Sequence, residues 1–331
     1  LNGYADSTPF ADLWKQEKLN PAVLEDEGVT QILKNRHVFF VSGLMSEYAN
    51  LINNYYSDNI KVVRKEYHAK TTYYSPSSSV SIPKNAAKLH IKIKENYDRG
   101  GQKPLIVIGH SKGGAELLYM IFEHPELILD GVIDRVVLIQ SAIGGSPLVE
   151  NPSFRMKATS CFSNPNFKTL RPSVANKNFK HAYKVFHDFL DKEFKIGSVL
   201  YLEKYQEISN KIFYFRSAAN PESEAKQIST GIKFVLAMVG KKLDKDRPND
   251  GLLYVEDQIF PEIGIDLGIL ESDHTGFTGS SFSATKKKDR KAFTRALFKK
   301  IFETELISFS NHSSKEHLSP ISKNEISLLS L

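Results

Sequence analysis

Pro104-Leu105-Ile106-Val107-Ile108-Gly109-His110-Ser111-Lys112-Gly113-Gly114-Ala115-Glu116-Leu117-Leu118-Tyr119-Met120-Ile121-Phe122 is the stretch on which the reading of this chain turns. A short apolar run of strand length leads into Gly-x-Ser-x-Gly, and an apolar run of helical length follows. A serine set on a sharp strand-to-helix turn is forced into a strained backbone conformation, and its hydroxyl stands above the sheet edge. The flanking glycines are needed because a Cβ there would strike the neighbouring strand or helix.

Outward from this turn, the pattern alternates. Residues 1–36 read as a helical N-terminal approach. A buried strand is expected at 37–42, a helix around 47–56 and a second strand at 61–67. A Ser-rich loop covers 75–81, and Pro83 opens a helix to about residue 97, since its missing N–H has no intrahelical partner at that position. Another apolar strand is expected at 135–140. Strands alternating with helices imply a mostly parallel sheet covered on both faces, an α/β fold. Ligand sites in such sheets lie at the carboxyl ends of the strands, where Ser111 falls.

The rhythm breaks between residues 151 and 210. Phe179, Ala182, Tyr183, Phe186, Phe189 and Leu190 recur there at helical spacing. Such a stripe faces a core, or forms the apolar face of a mobile cap able to meet lipid, and the two readings are compatible. Sheet pattern resumes at 211–215, with a helix near 226–239, a strand at 267–271 and a final amphipathic helix at 290–303. The expected organisation is one domain, 1–306, with a helical cap inserted at about 151–210. A Ser-rich polar tail follows at 307–331.

Composition sets outer bounds. The 331 residues are 41% hydrophobic and 25% charged, enough for one large domain with an insertion. The apolar runs are of strand length, so no transmembrane segment is expected. Cys161 is the single cysteine, which excludes an intramolecular disulfide and a cysteine-based metal site. The net charge of +6 includes local clusters at 286–288 and 241–242. They read as a solvated face, or as a weak attraction to an anionic lipid surface. No motif supports nucleic-acid binding. The sequence starts at Leu1 without an apolar leader, so the protein is expected to be exported, periplasmic or secreted, after signal removal, or else cytoplasmic.

A serine hydroxyl is a weak nucleophile at neutral pH and needs a histidine base, itself oriented by an acid. In chain order the partners should run serine, acid, histidine. Of the histidines beyond Ser111, His124 ends the serine's own helix, His181 and His187 lie in the insertion, and His312 and His317 lie in the tail. His274, directly after an expected strand, is left as the base. Asp250, in the tight turn Asn249-Asp250-Gly251 before the last core strand, is the expected acid, with Asp273 second. A tetrahedral oxyanion needs two backbone N–H donors. Lys112, just after the serine, and Leu44, in the loop after the first strand, are the candidates. The Lys112 side chain is expected in solvent, and His110 packed beneath the turn.

Four stretches together resemble the bacterial lipases and esterases of the α/β-hydrolase superfamily. They are Val41-Ser42-Gly43-Leu44, Gly109-His110-Ser111-Lys112-Gly113-Gly114, the segment 138–148 containing Ile143-Gly144-Gly145-Ser146-Pro147, and Asn249-Asp250-Gly251-Leu252 followed by Asp273-His274. The resemblance covers about 37–148 and 249–300. It implies the α/β-hydrolase fold and cleavage of lipid-like carboxylic esters through an acyl-serine intermediate. Phospholipase, acyltransferase and polyester depolymerase chemistry would use the same Ser111, Asp250 and His274, while a non-catalytic lipid-binding protein would use the scaffold alone. No cofactor is implied, and the partners expected are an ester substrate and a transient lipid surface. Two positions depart from the pattern. Relatives usually carry His-Gly where this chain has Ser42-Gly43. Many bind a structural calcium through an aspartate where this chain has Gly276, so no metal is carried over.

Overall fold

The computed structural model describes residues 10–19, 27–44, 55–150, 165–219, 243–244, 246–279 and 285–308. Its frame is a six-stranded, all-parallel sheet in the order β2-β1-β3-β4-β5-β6. The strands are β1 (His37–Val41), β2 (Lys70–Tyr74), β3 (Leu105–His110), β4 (Ile133–Ile139), β5 (Ile212–Ala218) and β6 (Ile265–Glu271). The helices are α1 (Phe10–Leu19), α2 (Glu27–Lys34), α3 (Ser57–Lys65), α4 (Ile82–Arg99), α5 (Lys112–Glu123), α6 (Glu126–Leu129), α7 (Pro172–Phe194), α8 (Val199–Ser209) and α9 (Lys287–Ile301).

The central strands are apolar without a break because alternate side chains enter different cores. Phe39, Val41, Leu105, Val107, Val136, Leu138, Ile212 and Tyr214 share one core with α4, α5 and α7. Val38, Phe40, Ile106, Ile108, Val137, Ile139, Phe213 and Phe215 enter the other, with α1, α2, α3 and α9. With a side-chain period of two, a strand buried on both sides must be apolar at every position.

One expected strand is corrected. Residues 61–67 belong mostly to α3, and the second strand is Lys70–Tyr74. Alternation over 61–67 suggests a strand, but Asp58, Asn59, Val62 and Val63 are the buried positions of a helix face. β2 lies at the edge of the described sheet, half-buried, and has no apolar stripe to announce it. The expected helices at 47–56 and 226–239, Cys161 and most of the tail lie largely or wholly outside the described residues. So does the first part of the insertion, 151–164.

The described part of the insertion is a helical hairpin. The α7 stripe Phe179, Ala182, Phe186 and Leu190 is buried, with Phe122 of α5 in ring contact with Phe179, Tyr183 and Phe186. The core-facing reading of that stripe is therefore what the packing shows. α8 returns antiparallel beside α7, with Tyr183 and Tyr205 joined through their hydroxyls at 3.1 Å.

At the crossing of β3 into α5, backbone lies directly against backbone. A Cβ on Gly113 would sit 2.2 Å from the Ser42 carbonyl oxygen, one on Gly114 1.9 Å from Ser141 Oγ, and one on Gly109 2.7 Å from Gly114 Cα. Gly113→Ala should therefore destabilise the protein by about 3 kcal/mol, because only a backbone shift relieves a clash with a carbonyl. Urea unfolding checks this, and an unchanged midpoint would contradict the crossing.

Candidate active site

Ser111 sits between β3 and α5 at φ 56°, ψ −129°. This sparsely populated region costs a residue with a Cβ about 1–3 kcal/mol. Ser111 N donates to Ile139 O on the next strand, and Ser111 O accepts from Ala142 N and from the first turn of α5, so the strain is held on several sides. The side chain is half-buried rather than covered.

Asp250 and His274 follow β5 and β6, on the same carboxyl end of the sheet as Ser111. Ser111 Oγ–H donates to His274 Nε2 at 2.8 Å. His274 Nδ1–H donates to Asp250 Oδ2 at 2.7 Å. The ionised carboxylate accepts only, so the proton of the neutral ring belongs on Nδ1 and Nε2 is left to accept. Asp250 is fully buried, and its Oδ1 accepts from Leu252 N at 3.0 Å and Leu253 N at 2.9 Å. The turn Asn249-Asp250-Gly251 thus folds on the carboxylate's own backbone bonds. His274 N donates to Asp250 O at 2.9 Å, which ties the two loops directly. Asp273 is not the ring's partner, since its Oδ1 accepts from Thr275 N and Oγ1.

The histidine loop is anchored from behind. Phe277 is fully buried, stacks on Phe293 of α9 at 4.3 Å and meets Trp14 of α1 edge-on. At Gly276 a Cβ would lie 1.7 Å from Ser272 Oγ and 2.7 Å from Thr285 Oγ1, so any side chain there requires those hydroxyls to move.

The loop after β1 reaches the serine through Gly43, whose Cβ position is 2.7 Å from Ser111 Cβ. Leu44 follows, half-buried, and Lys112 opens α5. Neither Leu44 N nor Lys112 N is engaged in a hydrogen bond among the described residues. The positive end of the α5 dipole adds to the field at that point.

Two buried polar groups behave differently from, or beyond, what the sequence suggested. The Lys112 side chain is not in solvent. It is buried against Glu116 at 2.6 Å and donates to Ser77 O at 3.2 Å and Val80 O at 2.9 Å. Asn85 Nδ2 donates to the same Glu116 oxygen at 2.6 Å. The loop after β2 arches over the start of α5 with its carbonyls turned inward, and the lysine satisfies them.

His110 does pack under the turn, and it links the site's two walls. Its Nε2–H donates to the His274 carbonyl at 2.8 Å, with Gln140 Oε1 at 3.2 Å. A carbonyl only accepts, so the ring proton is on Nε2, and Nδ1 accepts from the Tyr55 hydroxyl. The Tyr55 oxygen in turn accepts from Gly43 N at 3.1 Å. Gln140, buried at φ 47°, donates to Ser217 Oγ and to Asp273 O. This network works only with a neutral His110, and burial, reinforced by His274, holds its pKa well below the usual 6.5. Tyr55 carries no motif, and Gln140 lies in the 138–148 stretch without a role that the sequence assigned to it.

No protein-family model matches the sequence, and no relative is found among curated protein sequences. Solved structures do match. A metagenomic carboxyl esterase, MGS0156, superposes with a TM-score of 0.57 over 82% of this chain and 76% of its own, at 21% identity. The mature lipase BlEst2 of Bacillus licheniformis covers 81% of this chain and 91% of its own at 15% identity, with a TM-score of 0.48. The first of these likenesses, with the parallel sheet and its two helical layers, shows that the chain has the α/β-hydrolase fold. Among the described residues no helix is long and apolar enough to cross a membrane.

Two outcomes are expected. Lys112→Met leaves Glu116 buried without its cation and should cost about 3–5 kcal/mol in urea unfolding. His110 has a depressed pKa in the folded state, so its contribution is complete above pH 6.5 and is lost as pH falls below that value. Each pH unit of acidification in that window should then cost up to about 1.4 kcal/mol for this proton. His37, His90 and His187 are shifted the same way. The His110 share is therefore read as the difference in slope between wild type and His110→Asn.

Proposed function

We propose that this chain is a carboxylester hydrolase acting on lipid-like esters through an acyl-serine intermediate. One observation carries the reading: the unbroken hydrogen-bonded line Asp250–His274–Ser111, with the serine on a strained turn. Ser111 Oγ attacks the ester carbonyl while His274 Nε2 takes its proton. Asp250 holds the ring and stabilises the imidazolium that forms. Leu44 N and Lys112 N donate to the oxyanion, and the intermediate collapses as His274 returns the proton to the leaving alkoxide. Water, deprotonated by His274 in turn, attacks the acyl-serine and releases the acid.

Leu44, Tyr74 and Leu252 stand half-buried beside these loops and offer apolar surface to an acyl chain. The esterase with the same fold is named for the same class of reaction. In this reading residues 1–306 form one catalytic unit, 151–210 the insertion that bears on substrate choice, and 307–331 a tail. Either compartment suits it, exported or cytoplasmic, and the +6 charge would favour transient contact with an anionic lipid surface.

Hydrolysis of p-nitrophenyl esters from acetate to palmitate tests the proposal. Wild type should turn over at least part of the series, and Ser111→Ala should lose about 10⁴-fold or more. Asp250→Asn should lose about 10⁴-fold and Asp273→Asn less than about tenfold. A wild type inert on every ester would leave only a lipid-binding scaffold, and activity surviving Ser111→Ala would overturn the assignment of the site.

A further inference from the structure

At the end of α5 away from Ser111, His90, His124 and Glu126 converge. One nitrogen of each ring and one Glu126 oxygen lie within 4.8 Å of one another, and all three residues are half-buried. They come from two separate parts of the chain. His90 projects from the middle of α4, which packs along α5. His124 and Glu126 flank Pro125 in the turn that closes α5. That turn is rigid, with Pro125 at φ −66°, His124 N donating to Met120 O at 2.8 Å and Leu127 N to His124 O at 3.2 Å.

Three geometric features define the cluster. His90 Nε2 is shut off from solvent and has no hydrogen-bond partner among the described residues. A ring nitrogen left in that state destabilises the fold unless something binds it. The two imidazoles stack face to face, with centroids 3.8 Å apart and planes 16° from parallel. Glu126 Oε1 lies 3.0 Å from His124 Nδ1, so a carboxylate is already at the ring pair.

Two imidazoles and a carboxylate suit a borderline transition cation better than calcium or magnesium, which prefer oxygen alone. We propose that His90, His124 and Glu126 form a structural Zn²⁺ site that ties α4 to the α5–α6 turn, with water in the fourth position. Binding requires the two stacked rings to turn about their side-chain torsions until one nitrogen of each faces the same point as the Glu126 carboxylate. Lys94, one turn beyond His90 on α4, can swing outward on its flexible stem. The 12-residue α5 puts about 18 Å between this cluster and the serine turn, so the metal would take no part in chemistry there. The proposal is independent of the ester-cleaving reading.

Calorimetric titration of EDTA-stripped protein with zinc chloride, and in parallel with calcium chloride, tests it. Expected is about one zinc per chain with a Kd on the order of 10 µM or tighter, at least tenfold weaker in His90→Gln, His124→Gln and Glu126→Gln. Zinc should raise the melting temperature of wild type and not that of the variants. The absence of saturable zinc binding, equal affinity for calcium, or binding unchanged in the variants would each overturn the proposal. If His90→Gln does not fold, His124→Gln decides, since its ring lies at a half-exposed turn.

Discussion

Backbone lying on backbone is the constraint from which the rest of this structure follows. α5 begins so close beneath the loop after β1 that nothing larger than hydrogen fits at Gly113, and Ser141 leaves none at Gly114. That proximity brings three chain segments to one point: the serine turn, the loop carrying Gly43 and Leu44, and the segment after β4. Each then needs its polar groups satisfied within a small volume. The candidate site is the upper surface of that solution.

Its lower surface is a set of buried polar groups whose protonation states depend on one another. His110 must be neutral to accept from Tyr55 and donate to the His274 carbonyl, and Tyr55 must keep its proton to make the bond. Burial drives both in that direction, lowering the histidine pKa and raising that of the phenol. The two walls of the site, Gly43 on one side and His274 on the other, are therefore held in register by a relay that carries no net charge. Lys112 and Glu116 solve a similar problem with charge, closing the loop after β2 onto the helix that carries the serine turn.

The sequence disclosed the parts of this arrangement that local physics dictates. The apolar runs of β1, β3 and β4 are buried on both faces, so their composition alone marks them as central strands. Ser111, His274 and Asp250 could be named because chain order and elimination left few choices, and the structure brings them within hydrogen-bond distance. What escaped was set by tertiary context. β2 sits at an edge and carries threonine and tyrosine rather than an apolar stripe. Lys112 looked like a surface residue because nothing local announces that a distant loop will turn its carbonyls toward it. Tyr55 and Phe277 reach the site only through long-range packing, for which a single sequence holds no signal.

The conformation of Ser111 has an evolutionary consequence. At φ 56°, ψ −129° any side chain is under strain, and glycine alone would be at ease. Selection for stability by itself therefore pushes this position toward glycine, a residue with no hydroxyl to offer. A lineage released from the need for the reaction would be expected to lose the serine early and gain robustness from the loss. In this chain the position is serine, held at the cost in stability that its backbone conformation sets.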